Sequence, residues 1–306
     1  MTSPIYKLSD SYIDRLAVLD PGAATYMGIP GHDHEMTDFS PAGHDARAAL
    51  DHDVLTQLNA LDTSADADRL AAGVLRESLE MGTLEYAANE HLRSIRVIAG
   101  DVDAGRSIFD LMPTDTAEQW SVIAERMSQV PRAFAGMRES WALGAQRGAL
   151  GQRRQVLASA EQLGAWAGRG TAPAFFEQFV EGAASVAGAP IDQLRTAAKA
   201  ASKALGETSD YLRNEYAPIA DAHDGVGADR HALARRRFMG MNVEARDAYE
   251  WGWGEVERLD AEMARVAQEI QPGASLAEVR HLLDTDPARS IIGEDGLRDW
   301  LQEIMD

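Results

Sequence analysis

The densest group of side chains able to do chemistry is HDHEMTD, where His32, Asp33, His34, Glu35 and Asp38 crowd together. Two imidazoles with carboxylates suit zinc or manganese, and His32, His34 and Asp38 are the candidate ligands. A His-x-His pair shares a face mainly on a strand, where alternate side chains point the same way. Here the surroundings, IPG before and SPAG after, read as loop. The competing reading is therefore a solvated polar loop.

Arg235, Arg236 and Arg237 form a basic run in an acidic chain. A guanidinium cluster can hold a carboxylate or phosphate through paired N–H donors. The alternative is a helix face that pairs with the protein's own acids. Several familiar chemistries lack their residues. Glu35 is followed by Met-Thr-Asp, so no His-Glu-x-x-His zinc helix starts there, and Asn89-Glu90-His91 has no second histidine at helical spacing. No G-x-S-x-G elbow is present, and Gly225-x-Gly227 lacks both a preceding strand and a third glycine. The chain has no cysteine, which excludes disulfides, thiolate metal sites and a cysteine nucleophile.

These residues must be positioned by helices, because almost every segment repeats at helical period. The 306 residues are 45% hydrophobic and 25% charged, the composition of a globular protein. A net charge of −20 repels phosphate backbones and anionic lipid, so neither nucleic acid nor a membrane is an expected partner. MTSPIYKLSDSYIDRL lacks a basic n-region and an apolar h-region, and no window approaches the ~20 apolar residues of a membrane span. With the missing cysteines, this predicts a cytoplasmic protein.

Ser9 or Asp10 is the expected cap of a first helix, and Pro21 the first turn of a short second one. Ser40-Pro41 opens a helix to about Leu61, and Asp66 or Asp68 opens a long one running towards Leu92. DVDAGRS at 101–107 is read as a break. Thr116 and Gln119 have capping-box spacing before Trp120, and Pro131 opens a helix closed by Gly148. Further helices follow to Gly168, through the Phe175–Val186 stripe, and over the alanine-rich 191–216. Ser275 with Glu278 caps a short helix. No strand run stands out. The predicted class is all-α, a multi-helix bundle-like array of long antiparallel helices without significant sheet, in one helical domain over 1–306.

Within 227–270, Tyr249, Val256, Met263 and Ile270 recur every seven residues, with Gly252, Leu259 and Val266 as a second series. That a/d seam predicts packing along another helix. Trp251 and Trp253 are about 200° apart on the helix and cannot face one partner. Leu297, Trp300, Leu301, Ile304 and Met305 make a second apolar face, still apolar where the sequence stops at Asp306. Trp251, together with Trp300 or Met305, is expected to be unusually exposed.

Several stretches carry a resemblance. They are LDPGAATYMGIPGHD at 19–33 with DFSPAG at 38–43, FDLMPTDTAEQW at 109–120, and VPRAFAGMRESW at 130–141. To these add Gly227-x3-His231 followed by Gly252-x2-Glu255-Val256-x-Arg258-Leu259 and Glu262-Met263, and DPARSIIGEDGLRDWLQE at 286–303. Together they resemble the bacterial domain-of-unknown-function 885 family across essentially the whole chain. The resemblance implies a largely helical protein like zinc metallopeptidases or carboxypeptidases. In the family the zinc-binding helix, of His-Glu-x-x-x-Gly-His-like character, lies after the region matched here. No position in this chain matches the family's metal ligands or catalytic glutamate, so no catalytic residue is carried over. Zinc is expected only in a complete family-like protein.

This chain then reads as the N-terminal helical half of such a protein, forming one wall of a substrate cleft and inactive alone. Its expected partners are the missing C-terminal half, a second copy or a partner chain, and peptides. Where the family often has tyrosine after Gly-x3, this chain has His231. With Tyr249 and Arg236 it forms the candidate substrate-contact set. The reading of another class is a stand-alone helical binding or assembly module without catalysis.

Overall fold

The computed structural model describes residues 3–63 and 65–306. Met1 and Thr2, at the head of the segment read above for a leader, and Ser64 lie outside the described residues. The fold is all-α, as predicted. Its helices are α1 (Pro4–Leu19), α2 (Pro21–Tyr26), α3 (Pro41–Asn59), α4 (Asp66–Ala87), α5 (Asp101–Ser107), α6 (Ala117–Ser128), α7 (Val130–Gln146), α8 (Arg153–Trp166) and α9 (Phe175–Phe179). There follow α10 (Ile191–Tyr211), α11 (Ala228–Met239), α12 (Ala245–Ile270), α13 (Leu276–Thr285) and α14 (Gly293–Met305). Among the described residues, strand-type pairing is confined to an isolated parallel bridge between Gln152 and Asp221.

Most helix starts follow the expected chemistry. Ser40 accepts from the Gly43 N–H with Pro41 in the first turn, and Thr116–Gln119 and Ser275–Glu278 both close capping boxes. Two expectations fail. α1 begins at Pro4 rather than near Ser9, because Ser3 caps it and Pro4 supplies a helical φ at no hydrogen-bond cost. DVDAGRS forms α5 instead of a break. Asp101 and Asp103 sit favourably in its first turn, and Gly105 lets Met137 and Phe134 come within 3.0 and 3.1 Å of where a Cβ would stand.

The chain divides into two compact units, 1–240 and 241–306. The first holds the main core. Its centre is α10, whose face of Ala197, Ala198, Ala201 and Ala204 lets α6, α7 and α8 pack closely. Trp120, Phe134, Trp141, Leu163 and Leu205 fill the space around it. A smaller cluster of Ile5, Leu50, Val54, Leu58 and Leu79 joins α1, α3 and α4.

The second unit contains α12, α13 and α14. Its buried apolar residues are Ala267, Ala274 and Val279, with Leu283 packed against them. The stretch 227–270 holds two helices, α11 and α12. Gly240, in the left-handed region at φ 65°, ends α11, and α12 begins after it. The α12 seam is not core within its unit: Val256, Leu259 and Met263 are all exposed. Trp251, Trp300 and Met305 are exposed as expected, Trp251 by 70%. No helix among the described residues is long and apolar enough to cross a membrane.

Candidate functional site

The structure does not bring the predicted ligands together. The His32 carbonyl accepts from Arg126 Nη2 at 3.0 Å, and the His34 carbonyl accepts from Gln129 Nε2 at 2.7 Å. The loop is thus pinned through its backbone by α6 and its C-cap. Asp38 is spent at the start of α3, accepting from the Ser40 N–H at 2.9 Å, with Arg132 at 3.8 Å. Among the described residues no group of three His, Asp or Glu is arranged to hold a metal ion.

The candidate contact residues fall in both units. Tyr249 lies exposed on α12 of the second unit, edge-on to Trp253 at 6.2 Å. His231 is exposed on α11. Arg236 is bound in both directions by α4, with Glu77 at 2.7–2.9 Å and Glu80 at 3.0 Å. That is the helix-face pairing weighed against ligand binding above, and it fastens α11 to α4.

The first unit instead builds a polar cleft that the sequence did not disclose. It is a cavity of about 830 Å³ lined by α3, the end of α4, the 3-10 turn Glu90–Arg93, the loop to Asp101, and α11. Asn89, in the left-handed region at φ 56°, turns the chain from α4 into that 3-10 turn, a conformation asparagine tolerates. The turn lays the His91 ring on Tyr86, with centroids 4.6 Å apart and planes within 8°. Pro41 and its Ser40 cap start α3, whose second turn places His44 with its ring 5.0 Å from His91. Arg47, one turn further, donates to His44 Nδ1 at 3.0 Å.

The electrostatics follow from burial. Desolvation first, and then Arg47 and His91, pull His44 down to about 3. Desolvation and the Arg147 charge pull His91 down to about 4. Both imidazoles are therefore neutral at pH 7. Asp101 is pushed up to about 7 by burial, against a hydrogen bond to Ser94 and the charges of Arg47 and Arg96. His44 Nε2, His91 Nδ1 and Asp101 Oδ2 are buried atoms with no hydrogen-bond partner. Burial also raises Asp51, although Tyr12 donates to it at 2.9 Å.

The walls are fastened by bidentate pairs, Arg230 with Glu90 at 2.7 Å and Arg237 with Glu85 at 2.5 to 3.0 Å. The zinc implied by the resemblance does not fit here. The two neutral imidazoles lack a third ligand, and Arg47, whose guanidinium holds His44 Nδ1, repels a cation. The arrangement suits hydrogen bonding of a polar molecule, with neutral donors and acceptors set between guanidinium groups.

The sequence reading came closest to this cleft at Asn89-Glu90-His91 and at Ser40-Pro41, where helical spacing alone linked neither to the other. His44 and His91 are brought together only by the packing of α3 against α4 and the turn after it.

Comparison with known proteins agrees with the fold. The model of a family described as "Bacterial protein of unknown function (DUF885)" matches residues 21–306. No curated protein matches. Among solved structures, a "putative lipoprotein from Colwellia psychrerythraea" is similar with TM-score 0.76 and 17% identity, covering 99% of this chain and 58% of its own. A "putative lipoprotein of unknown function from Shewanella oneidensis" is similar with TM-score 0.71 and 14% identity, covering 99% of this chain and 57% of its own. The chain thus spans less than two thirds of the length of these neighbours. Their description as lipoproteins overturns the cytoplasmic location read from the sequence. The physical reason is that reducing and oxidising compartments both admit a chain without cysteines.

Proposed function

The chain belongs to the domain-of-unknown-function 885 family of bacterial proteins, and we propose that it is the substrate-holding helical part of a zinc-peptidase-like hydrolase. In this reading the metal and the water-activating carboxylate come from residues outside these 306. The single observation that carries it is the cleft of about 830 Å³ in the first unit. Its size is that of a small-ligand site, for which roughly 300–1,000 Å³ is typical. Its lining supplies what a short peptide needs. Its guanidinium groups can donate to peptide carbonyls and a carboxylate, and Asp51 and the neutral imidazoles can bond to amides. The coverage of under two thirds of the neighbours' length supports the same reading.

The test is calorimetry with a short peptide, beside a hydrolysis assay with and without added zinc, on the 306-residue chain. Binding without turnover is expected. Zinc-dependent hydrolysis by this chain, or no binding at all, overturns the reading.

A second reading, an assembly module without catalysis, is favoured by the exposed apolar faces of α12 and α14. A second copy or a partner chain would then cover them. A monomer by light scattering that binds no hydrophobic dye removes this reading.

A further inference from the structure

The arginines of the cleft fall into two kinds. Arg93, Arg230 and Arg237 are spent, on Glu90 and the Ala88 carbonyl, on Glu90, and on Glu85 respectively. Arg47 and Arg96 are different. Arg47 donates to the carbonyls of Leu19 and Asp38 and to the neutral His44 ring, and among the described residues it makes no direct ion pair, although its charge is felt by Asp38 and Asp51. Arg96, on the loop before α5, makes no ion pair with a carboxylate among the described residues. Its stem is packed over the chain next to Asp101: a Cβ at Gly100 would lie 2.8 Å from Arg96 Cγ and from its carbonyl oxygen. Both guanidinium groups act on the Asp101 carboxyl, and all three residues line the same cavity.

We propose that Arg47, Arg96 and Asp101, which line one end of the cleft, form a carboxylate subsite in which the two guanidinium groups are the cations. The proposal rests on the reading of the cleft as a substrate site and names the group it holds. Two guanidinium groups without a direct ion pair line one cavity, beside three arginines whose charges are paired with Glu85 and Glu90. A carboxylate suits them because its two oxygens match the planar guanidinium fork. The Asp101 O–H supplies a further hydrogen bond. The groups facing Asp101 are Ser94, Arg47, Arg96 and Asp20. The cleft imidazoles stay neutral through the pH range in which Asp101 ionises, so they leave its titration undisturbed. Above about pH 7 Asp101 gains a charge that repels the bound carboxylate.

The test is calorimetry of the 306-residue chain with three probes: N-acetyl-Ala-Ala with a free terminus, its terminal amide, and N-acetyl-Glu-Ala amide. The free acid should bind about tenfold or more tightly than the Ala-Ala amide, the effect of one charge-assisted hydrogen bond. Arg96→Gln should abolish that preference with an unchanged thermal melt, since Arg96 is exposed. Arg47→Gln should do the same, and its melt reports any loss from the Leu19 and Asp38 carbonyls. Raising pH from 6 to 8 should erode the preference in the wild type and not in Asp101→Asn. Tight binding of the Glu-Ala amide supports the subsite and makes its source any carboxylate. A preference for the free acid alone supports it and makes the source a chain terminus. Equal binding of acid and amide, or a preference kept in Arg96→Gln, overturns the subsite while the cleft still binds peptide. No binding by any probe overturns the cleft reading itself.

Discussion

Trp141 and Trp251 show how differently the two units are built. Trp141, on α7, is completely enclosed and belongs with Phe134, Met137 and Trp120 to one continuous core. Trp251 stands exposed on α12, in a unit whose buried apolar residues are two alanines and a valine with a leucine beside them. Both helices carry strong apolar periodicity. What separates them is the extent of packing within the unit: α10 offers α6, α7 and α8 a small-residue face, whereas α12 packs chiefly against α13. Amphipathic spacing says that a helix wants cover and does not say that it has found it.

The largest expected difference between the units is in core stability. Trp141→Ala should cost about 3–5 kcal/mol, the usual range for emptying a large aromatic site. Trp251→Ala should stay within ~0.5 kcal/mol, as exposed substitutions do. Urea titrations followed by far-UV circular dichroism measure both. A large loss for Trp251→Ala would break the contrast.

Next comes the buried guanidinium. Arg126 is fully enclosed, and burial brings it down to about 10. It donates to the carbonyls of Pro21, His32 and Glu35. Arg126→Ala leaves the Glu35 carbonyl without its donor, strips a donor from the Pro21 and His32 carbonyls, which keep Thr25 Oγ1 and the Glu35 N–H, and should cost about 3 kcal/mol in the same titration. Arg265→Ala, on the surface of α12 against Glu262 and Glu269, should leave the midpoint unchanged.

The units should also part on acidification. His44 and His91 have folded values of about 3 and 4, below the 6.5 of the unfolded chain. The unfolded state therefore binds protons first, and the first unit loses stability as pH falls from about 6.5 towards those values. In the second unit Glu255, Glu262 and Glu278 are lowered by hydrogen bonds from Arg258, Arg265 and Ser275, so their contribution is lost only as pH falls below 4.5. Melting curves from pH 7 to 4.5 should show a smaller acid loss in His44→Gln/His91→Gln than in the wild type. Asp101 has the opposite sign. Its raised folded value favours the native state below 3.8, and that contribution is lost as pH rises from 3.8 through about 7, so Asp101→Asn should gain stability relative to the wild type across that range and level off above pH 7.

The smallest effects are the caps. Thr116→Ala and Ser275→Ala each remove a capping-box hydroxyl worth about 1 kcal/mol. Hydrogen exchange should register the Ser275 change locally in α13. The Thr116 change should spread into α6 and its core partners.

The sequence by itself determined the helical class, most helix boundaries and the family. These depend on short-range information: periodicity, Ser-Pro and Ser-x-x-Glu caps, and glycines such as Gly148 and Gly168 at positive φ. It also disclosed that Trp251 and Trp300 lacked an obvious place to go. The site was legible only in fragments. Arg236 stood out because three arginines are adjacent in the chain, yet its charge is consumed by Glu77 and Glu80 on α4. His32, His34 and Asp38 stood out for the same reason, yet the loop there is held by its backbone. Nothing near His44 in the chain announces His91, and nothing near Arg47 announces Arg96 and Asp101. Only the packing of α3, α4 and α11 decides which of these groups share a cavity, which are desolvated, and which charges remain unpaired. Desolvation and pairing are properties of the surroundings in space, and adjacency along the chain carries neither.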